Sequence, residues 1–367
     1  MNNPSVEKGS IVVYRLFDAA SYIDLSLVES MAKERPVRRL RLSKYPQVKA
    51  LEFVNPPVSF ELKEFTRPVL GVDTSVAVTA RAYDFGVISI AFSMAVPSGT
   101  SLPALKEAGR ALANDESIEP KAREYAQEFL DTFKGAVTGP AIKGDIIEDY
   151  LIFFIEELGG NLRADELFSG YDLSKLLLYE TRDLSPRLRE ETLKHRFAYY
   201  PDDLIILHYY NAVVVEPSGN RDILDILEFA NAQLLELRYY DGVLDRELNW
   251  VYSELSRRGR VSTLGLKGFE ALARRMTEIV RDLTDVTEKV DNAVKVTEDV
   301  YFARVYTAAM RLFRSAEWER SIKEKLEIVS NAYRMLHNEI SIKRGHILEA
   351  IIILLIAIDI VLVLAGR

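Results

Sequence analysis

Residues 347–365 read ILEAIIILLIAIDIVLVLA, and this apolar run dominates the architecture that the sequence predicts. A helix of roughly 20 apolar residues has the length needed to cross the hydrocarbon core of a bilayer. The run carries two acidic residues, Glu349 and Asp359. An Asp at the helix centre costs about 2.5–3.5 kcal/mol on insertion, but the many Ile, Leu and Val residues outweigh it. The sequence therefore predicts a C-terminal transmembrane helix.

The two carboxylates of this run are expected at helix–helix contacts inside the membrane, where a buried carboxyl group shares a proton or a hydrogen bond with a neighbour. Membrane lipid and further copies of the chain, in a homo-oligomer, are the predicted partners. The alternative is an apolar helix buried inside a soluble oligomer. Lys343 and Arg344 precede the run, and the positive-inside bias places them in the cytoplasm.

The N-terminus, MNNPSVEKGS, is polar and has no apolar core, so no signal peptide or transit peptide is predicted. The expected location is the cell membrane, crossed once, with the soluble domain facing the cytoplasm. The chain has no cysteine, which excludes disulfides, thiol nucleophiles and cysteine-ligated metals. Its net charge is −8, which makes general nucleic-acid binding an unfavoured class.

Proline placement divides the chain. All thirteen prolines lie at or before Pro217, and proline interrupts helix interiors. We therefore predict a mixed α/β (α+β) soluble domain over residues 1–217, a long helical, coiled-coil-like stalk over residues 218–345, and the transmembrane anchor over residues 346–367. Residues 256–344 carry a local charge of +5, which leaves open a polyanion-binding role for the stalk.

Short apolar segments between Pro and Gly residues predict the strands of the first domain. Residues 75–83 and 87–96 read as a hairpin, and residues 149–156 (DYLIFFIE) as a central strand because they are nearly all apolar. Further strands are predicted at residues 11–17, 37–42, 48–53, 58–62, 204–208 and 212–216. Helices are predicted near residues 20–34, 105–113, 121–133, 172–179 and 186–194. No strand order follows from these patterns.

Past Arg221 the chain is predicted to be helical throughout. One heptad seam runs from Phe269 to Ala293 and a second from Trp318 to Ile340, with apolar residues at alternating steps of three and four. Two seams predict an antiparallel helical hairpin, with an oligomeric coiled coil as the alternative.

The first long helix contains a dense polar cluster. Arg238, Asp241 and Asp245 share one helix face because they are three and four residues apart. With Glu236 they form a candidate polar network, which either pins the helix to a neighbour or binds a ligand or partner. Its wider surroundings comprise Asn231, Gln233, Tyr239 and Tyr240. A weaker candidate cluster comprises Tyr179, Glu180 and Arg182.

Motifs of established chemistry are missing. The chain has no Gly-rich phosphate loop and no GxSxG elbow. His195, Asp202, Asp203 and His208 are close enough in sequence to converge on a metal, but ordinary structural roles are favoured. No catalytic residue, cofactor or metal is therefore predicted.

The C-terminal segment resembles the family called required for meiotic nuclear division. The resemblance is carried by Trp318, by Lys325–Leu326, by residues 333–336 (YRML), and by LEAIIILLIAIDIVLVL at residues 348–364. Glu349 and Asp359 take the places of that family's acidic residues in an Ile-rich terminal helix. The resemblance implies a membrane tether linked to translation, with a ribosome-associated partner.

Together these patterns predict a non-enzymatic scaffold or tether, anchored at its C-terminus and self-associating. The first alternative is an enzyme with a site in the α/β domain that uses Glu180, Arg182, His195 or Asp203. The second is an adaptor that binds polyanions through the basic stalk.

Overall fold

The computed structural model of the chain describes residues 4–32, 37–40, 51–142, 146–259, 294–296 and 301–365. The chain forms two compact units: Met1–Tyr239 with Lys289–Ala316, and Tyr240–Glu288 with Glu317–Arg367. The division of the sequence at residues 217 and 345 stays a prediction.

Strands and helices alternate through the first unit. The strands are β1 (Ser5–Asp18), β2 (Tyr22–Ile23), β3 (Val37–Arg39), β4 (Leu51–Phe53), β5 (Val58–Val69), β6 (Val72–Ala82), β7 (Val87–Ala95), β8 (Thr100–Ser101), β9 (Val137–Thr138), β10 (Ile147–Leu158), β11 (Arg196–Phe197), β12 (Leu204–Leu207), β13 (Asn211–Val215) and β14 (Val294–Val296). The helices of the whole chain are α1 (Leu25–Met31), α2 (Leu102–Ala113), α3 (Ile118–Thr132), α4 (Ala164–Gly170), α5 (Ser174–Leu178), α6 (Pro186–Thr192), α7 (Asp222–Gly259), α8 (Tyr301–Leu312) and α9 (Ser315–Ala365).

Ten of the described strands form one mixed sheet, in the order β11-β12-β13-β10-β1-β7-β6-β5-β3, with β8 beside β1. β10 and β13 are parallel, and the other pairs are antiparallel. The long central strands β1 and β10 are apolar on both faces because helices cover the sheet on both sides. The predicted hairpin is present as β6 and β7, which turn at Asp84–Phe85–Gly86.

Alternate residues of each strand point to opposite faces of the sheet. One face, here called the α3 face, packs Val13, Phe92 and Phe153 against Leu105 of α2 and Phe129 of α3. The opposite face, here called the α7 face, is covered by residues 222–239 of α7 and by α8. On it the Tyr83 ring lies 5.9 Å from that of Phe229 in α7, which in turn lies 6.1 Å from Tyr306 in α8.

Local signals at helix starts agree with this arrangement. The Ser101 side chain caps α2, and the Ser185 side chain caps α6 ahead of a proline in the first turn. α1 begins later than predicted because Asp24 accepts from the backbone N–H groups of Ser26 and Leu27.

The predicted helical continuity past Arg221 is wrong at β14, which pairs with β4. The first heptad seam, Phe269 to Ala293, lies outside the described residues. In the second seam, on α9, Ile322 and Val329 are buried.

The predicted C-terminal transmembrane helix is wrong: within the described residues, no helix combines the length and the apolar content needed to cross a membrane. In the terminal run, the continuous stretch of aliphatic side chains that the structure describes is residues 351–358. It lies between Glu349 and Asp359, two carboxylates that raise the cost of placing the run in hydrocarbon.

The predictions that rested on that helix are corrected with it. They are the membrane-anchored tether and the single-pass location in the cell membrane; the lipid partner and the roles of Glu349 and Asp359 stay predictions. Glu349 is exposed on α9; the Asp359 side chain lies outside the described part of the chain.

Candidate ligand-binding cavity

A β-bulge in β5 orients the first residues of the candidate site. The pairing of β5 with β6 shifts by one residue between Leu62, which faces Val78, and Phe65, which faces Val76. The extra residue reverses the alternation, so Phe65 and Arg67 point to the α3 face, where Glu64 and Thr66 would otherwise point. The Tyr125 hydroxyl of α3 donates to the Lys63 carbonyl at 2.7 Å and fixes the bulge.

Next to the bulge, a cavity of about 210 Å³ lies between strands β5–β7 and the start of α3. Its apolar wall is formed by Phe65, Val76, Phe92, Met94 and Ile118, and its polar wall by Arg67, Ser117 and Lys121. The apolar wall is rigid because four of its five members are buried β-sheet or helix residues.

Arg67 is the central cation of the cavity. Its Nη2–H donates a hydrogen bond to the Asp115 carboxylate. Its Nε–H is buried and has no hydrogen-bond partner among the described residues. A buried donor without a partner costs about 1–3 kcal/mol. The guanidinium as a whole lines the polar side of the cavity.

Asp115 holds the polar wall in place. Its Oδ1 accepts from the Ser117 backbone N–H at 2.9 Å and from the Ser117 hydroxyl at 2.6 Å. Although burial opposes its charge, these hydrogen bonds and the one from Arg67 lower the pKa of Asp115. The ionised carboxylate therefore fixes the guanidinium of Arg67 at the cavity wall.

Lys121 supplies a second cation at the rim. Its Nζ lies 2.7 Å from Glu124 and 5.1 Å from the centroid of the Tyr125 ring. Ser117 and Ile118 begin α3, whose first backbone N–H groups favour negative charge nearby. The polar side of the cavity thus combines two cations and a helix start.

A second polar group lies on the α7 face. Arg81 of β6 donates to Asp225 at 2.7 Å and to Glu228, both in α7. Burial opposes its charge, but the two carboxylates hold the pKa of Arg81 above its ordinary value. We interpret this cluster as the attachment of α7 to the sheet.

The candidate polar network predicted on α7 is distributed over separate contacts. Arg238 pairs with Glu148 of β10, within the first unit. Asp241 and Asp245 both contact Lys325 of α9, at 2.8 and 2.6 Å, within the second unit. Asp241 also accepts from the Ser321 hydroxyl at 2.6 Å. Glu236 is fully buried in α7.

The weaker candidate cluster lies along the turn after α5. Tyr179 has a left-handed backbone, with φ of 53°, and burial raises the pKa of its hydroxyl to about 12. The Glu180 carboxylate accepts from the Thr181 backbone N–H, and Arg182 is exposed.

The residues of the enzyme hypothesis are not joined by direct polar contacts. No hydrogen bond or ion pair within the described chain joins any two of the side chains of Glu180, Arg182, His195 and Asp203. Asp203 instead accepts from the backbone N–H groups of Tyr199 and Tyr200. Among the residues that the structure describes, no three His, Cys, Asp or Glu side chains are grouped as metal ligands.

Sequence reasoning missed Arg67, Ser117 and Lys121 as site residues. The available signal was the broken alternation in β5, where Leu62 and Phe65 are both apolar but are three residues apart. A spacing of three in an otherwise alternating strand indicates a bulge. The start of α3 at Ile118 has no side-chain cap, so no capping signal in the sequence predicted it.

The first unit therefore belongs to the class of mixed α/β domains: a mixed sheet lies between two helical layers, and a small cavity lies beside the bulged strand β5. Residues 8–222 match the family described as "Uncharacterized protein MJ0711, N-terminal domain". Since this match covers more than half of the chain, the chain belongs to that family, and the cavity lies inside the matched region.

One relative is the "Uncharacterized protein MJ0711" of Methanocaldococcus jannaschii. It is 26% identical over 196 residues, which cover 53% of this chain and 59% of the relative. The chain thus matches less than two thirds of the relative's length. No solved structure matches the chain significantly.

These comparisons correct the resemblance to the meiotic nuclear division family, because the matching family is a different one. The resemblance relied on the C-terminal segment, where Ile-rich helices are alike in composition whatever their origin. The link to translation and the ribosome-associated partner rested on that resemblance alone, and they are not carried further.

Proposed function

We propose that the family domain binds a small organic acid with an apolar body in the cavity at the β5 bulge. The observation that carries this proposal is the pairing of two cationic side chains, Arg67 and Lys121, with a largely apolar cavity lining. An anionic head group would accept from Arg67, and the body of the ligand would lie against Phe92 and Met94.

Cavity size limits the ligand. A cavity of about 150 Å³ lined by aliphatic and aromatic side chains accommodates benzene, and this one holds about 210 Å³. Drug-sized sites are larger, roughly 300–1,000 Å³. The fitting class is a monocarboxylic acid with one aromatic ring or a short branched chain.

Charge selects the head group. Arg67 presents a planar guanidinium, which matches the geometry of a carboxylate better than a lysine does. Asp115 already forms an ion pair with one side of the guanidinium. A single carboxylate could bind the other side, whereas a multiply charged phosphate would be repelled by the Asp115 carboxylate. The site therefore favours a monoanion over inorganic phosphate.

Titration calorimetry of the full chain with phenylacetate tests the proposal, with phenylacetamide as the uncharged analogue and inorganic phosphate as the compact anion. We expect saturable binding of phenylacetate and at least tenfold weaker binding of the amide. Arg67→Gln should lose at least tenfold in affinity, since a charge-assisted hydrogen bond is worth about 1.5–3 kcal/mol.

Two matched variants complete the design. Arg110→Gln removes an equally charged side chain that is 60% exposed on α2, and it should bind as the wild type does. Met94→Phe adds volume to the apolar wall and should weaken binding while the charge is unchanged. Equal binding of the acid and the amide, or no effect of either cavity variant, would refute the proposal.

A further inference from the structure

The terminal part of α9 exposes aliphatic side chains without interruption. Seven of the eight residues 351–358 are Ile or Leu, and the exposed fractions of these seven lie between 47% and 67%. Soluble chains rarely expose contiguous apolar patches larger than a few hundred Å², and such patches mark interaction sites. This segment is therefore an unpartnered interaction surface.

The exposed residues surround the helix. Successive residues are 100° apart, so eight of them pass around the axis more than twice. A helix that is apolar all round is a buried helix in its working state. One flat partner would cover only one side, so at least two neighbouring helices are needed.

The area of the segment is sufficient for a specific assembly. A cylinder of the eight residues 351–358, about 12 Å long and 10 Å wide, has a surface of about 380 Å². Three or four copies would together bury about 1,100–1,500 Å², and a specific interface buries at least about 1,000 Å² in total. The same segment of other copies is therefore an occupant of matching size.

Composition indicates the number of copies. Five of the eight residues 351–358 are Ile, and Ile at the core positions of a coiled coil favours three or four helices over two. Identical aliphatic helices leave no polar side chain of this stretch unpaired in their shared core. We propose that residues 351–358 of α9 assemble the chain into a helical bundle of three or more copies. This proposal does not rest on the proposed function of the cavity.

Sedimentation velocity of the full chain in detergent-free buffer tests this assembly. We expect one species of at least three times the 41.7 kDa chain mass. The double variant Ile352→Asn, Ile356→Asn alters one face of the segment and should sediment as a monomer. The control Ile328→Asn, Met335→Asn alters exposed apolar residues of α9 outside the segment and should keep the wild-type mass.

Cysteine crosslinking gives a second measurement that does not depend on how the polar variants fold. The chain has no cysteine, so Ile353→Cys introduces one thiol and should form interchain disulfides on mild oxidation, whereas Ile328→Cys should not. A monomeric wild type, a polydisperse aggregate, a mass gain only on added detergent or lipid, or equal crosslinking at the two positions would each overturn the proposal.

Discussion

Arg81 shows how a single residue secures one helical layer to the sheet. Its side chain is 10% exposed and that of Glu228 is 4% exposed, so neither charge is hydrated as it would be at the surface. Replacing a whole buried ion pair with apolar residues is often neutral, whereas removing one partner leaves an uncompensated charge. The contribution of Arg81 to stability therefore depends on its partners.

We expect Arg81→Met to lower the free energy of unfolding by about 3–5 kcal/mol, because Glu228 is left buried and unpaired. The double variant Arg81→Met, Glu228→Leu should recover most of that loss. Urea denaturation measures both, with Arg38→Met as the control, since Arg38 and Glu61 form an exposed pair worth about 0–1 kcal/mol. A double variant no more stable than Arg81→Met alone would contradict this account of Arg81.

Glu148 gives the first unit a pH dependence. Burial raises its pKa from 4.5 to about 7, although Arg238 acts in the opposite direction. The folded state then binds a proton more tightly than the unfolded chain, so stability is highest below pH 4.5 and declines as pH rises towards 7. The decline contributed by Glu148 is about 3 kcal/mol.

Glu148→Gln should remove that slope. We expect the difference in unfolding free energy between wild type and variant to shift against the wild type as pH rises from about 4.5 to 7, and to stay constant above that range. Denaturation at a series of pH values measures it. The control Glu61→Gln, at an exposed position, should show the same pH dependence of the unfolding free energy as the wild type. If Glu148→Gln shows that pH dependence too, Glu148 is not the titrating group.

Among the elements, α2 approaches the sheet more closely than a side chain allows. A Cβ on Gly109 would lie 2.6 Å from Cε1 of Phe153 and 3.0 Å from Cε1 of Tyr179. Phe153 is fully buried in β10 and cannot move aside. The glycine therefore sets the distance between α2 and β10.

Gly109→Ala should destabilise the first unit by about 1–3 kcal/mol through overpacking, although alanine in a helix interior would otherwise gain about 1 kcal/mol. Thermal unfolding shows whether the substitution lowers or raises the stability of the first unit. Gly170→Ala, at a position in α4 with no atom within 4 Å of the added Cβ, should be neutral or stabilising. A Gly109→Ala variant as stable as the wild type would mean that α2 can move away from β10 at no cost in stability.

Elements with a strong local signal were predictable, and those defined by pairing across the chain were not. β10 and the β6–β7 hairpin follow from apolar runs and a turn. The strand order, the bulge at Lys63–Glu64 and the meeting of Arg81 with Glu228, 147 residues away in sequence, depend on tertiary contacts. Arg67 and Lys121 look like ordinary surface cations until β5 and α3 are placed side by side.

At the scale of the whole molecule, the matched region ends where a structural layer begins. The family match stops at residue 222, the first residue of α7. Residues 222–239 and α8 nevertheless cover the α7 face of the sheet, where Tyr14, Ile152 and Phe154 are buried. The matched region therefore lacks one of the two layers that enclose its sheet.

A fragment of residues 1–222 should consequently fail to fold as a stable unit. We expect it to bind a hydrophobic dye and to melt without a cooperative transition, because it exposes the apolar residues of the α7 face to water. A fragment of residues 1–316 retains every residue of the first unit and should melt cooperatively without binding the dye. Circular dichroism and dye fluorescence compare the two. If the 1–222 fragment melts as sharply as the longer one, α7 and α8 are additions to a complete domain, and the buried pairing of Arg81 with Glu228 does not contribute to folding as argued above.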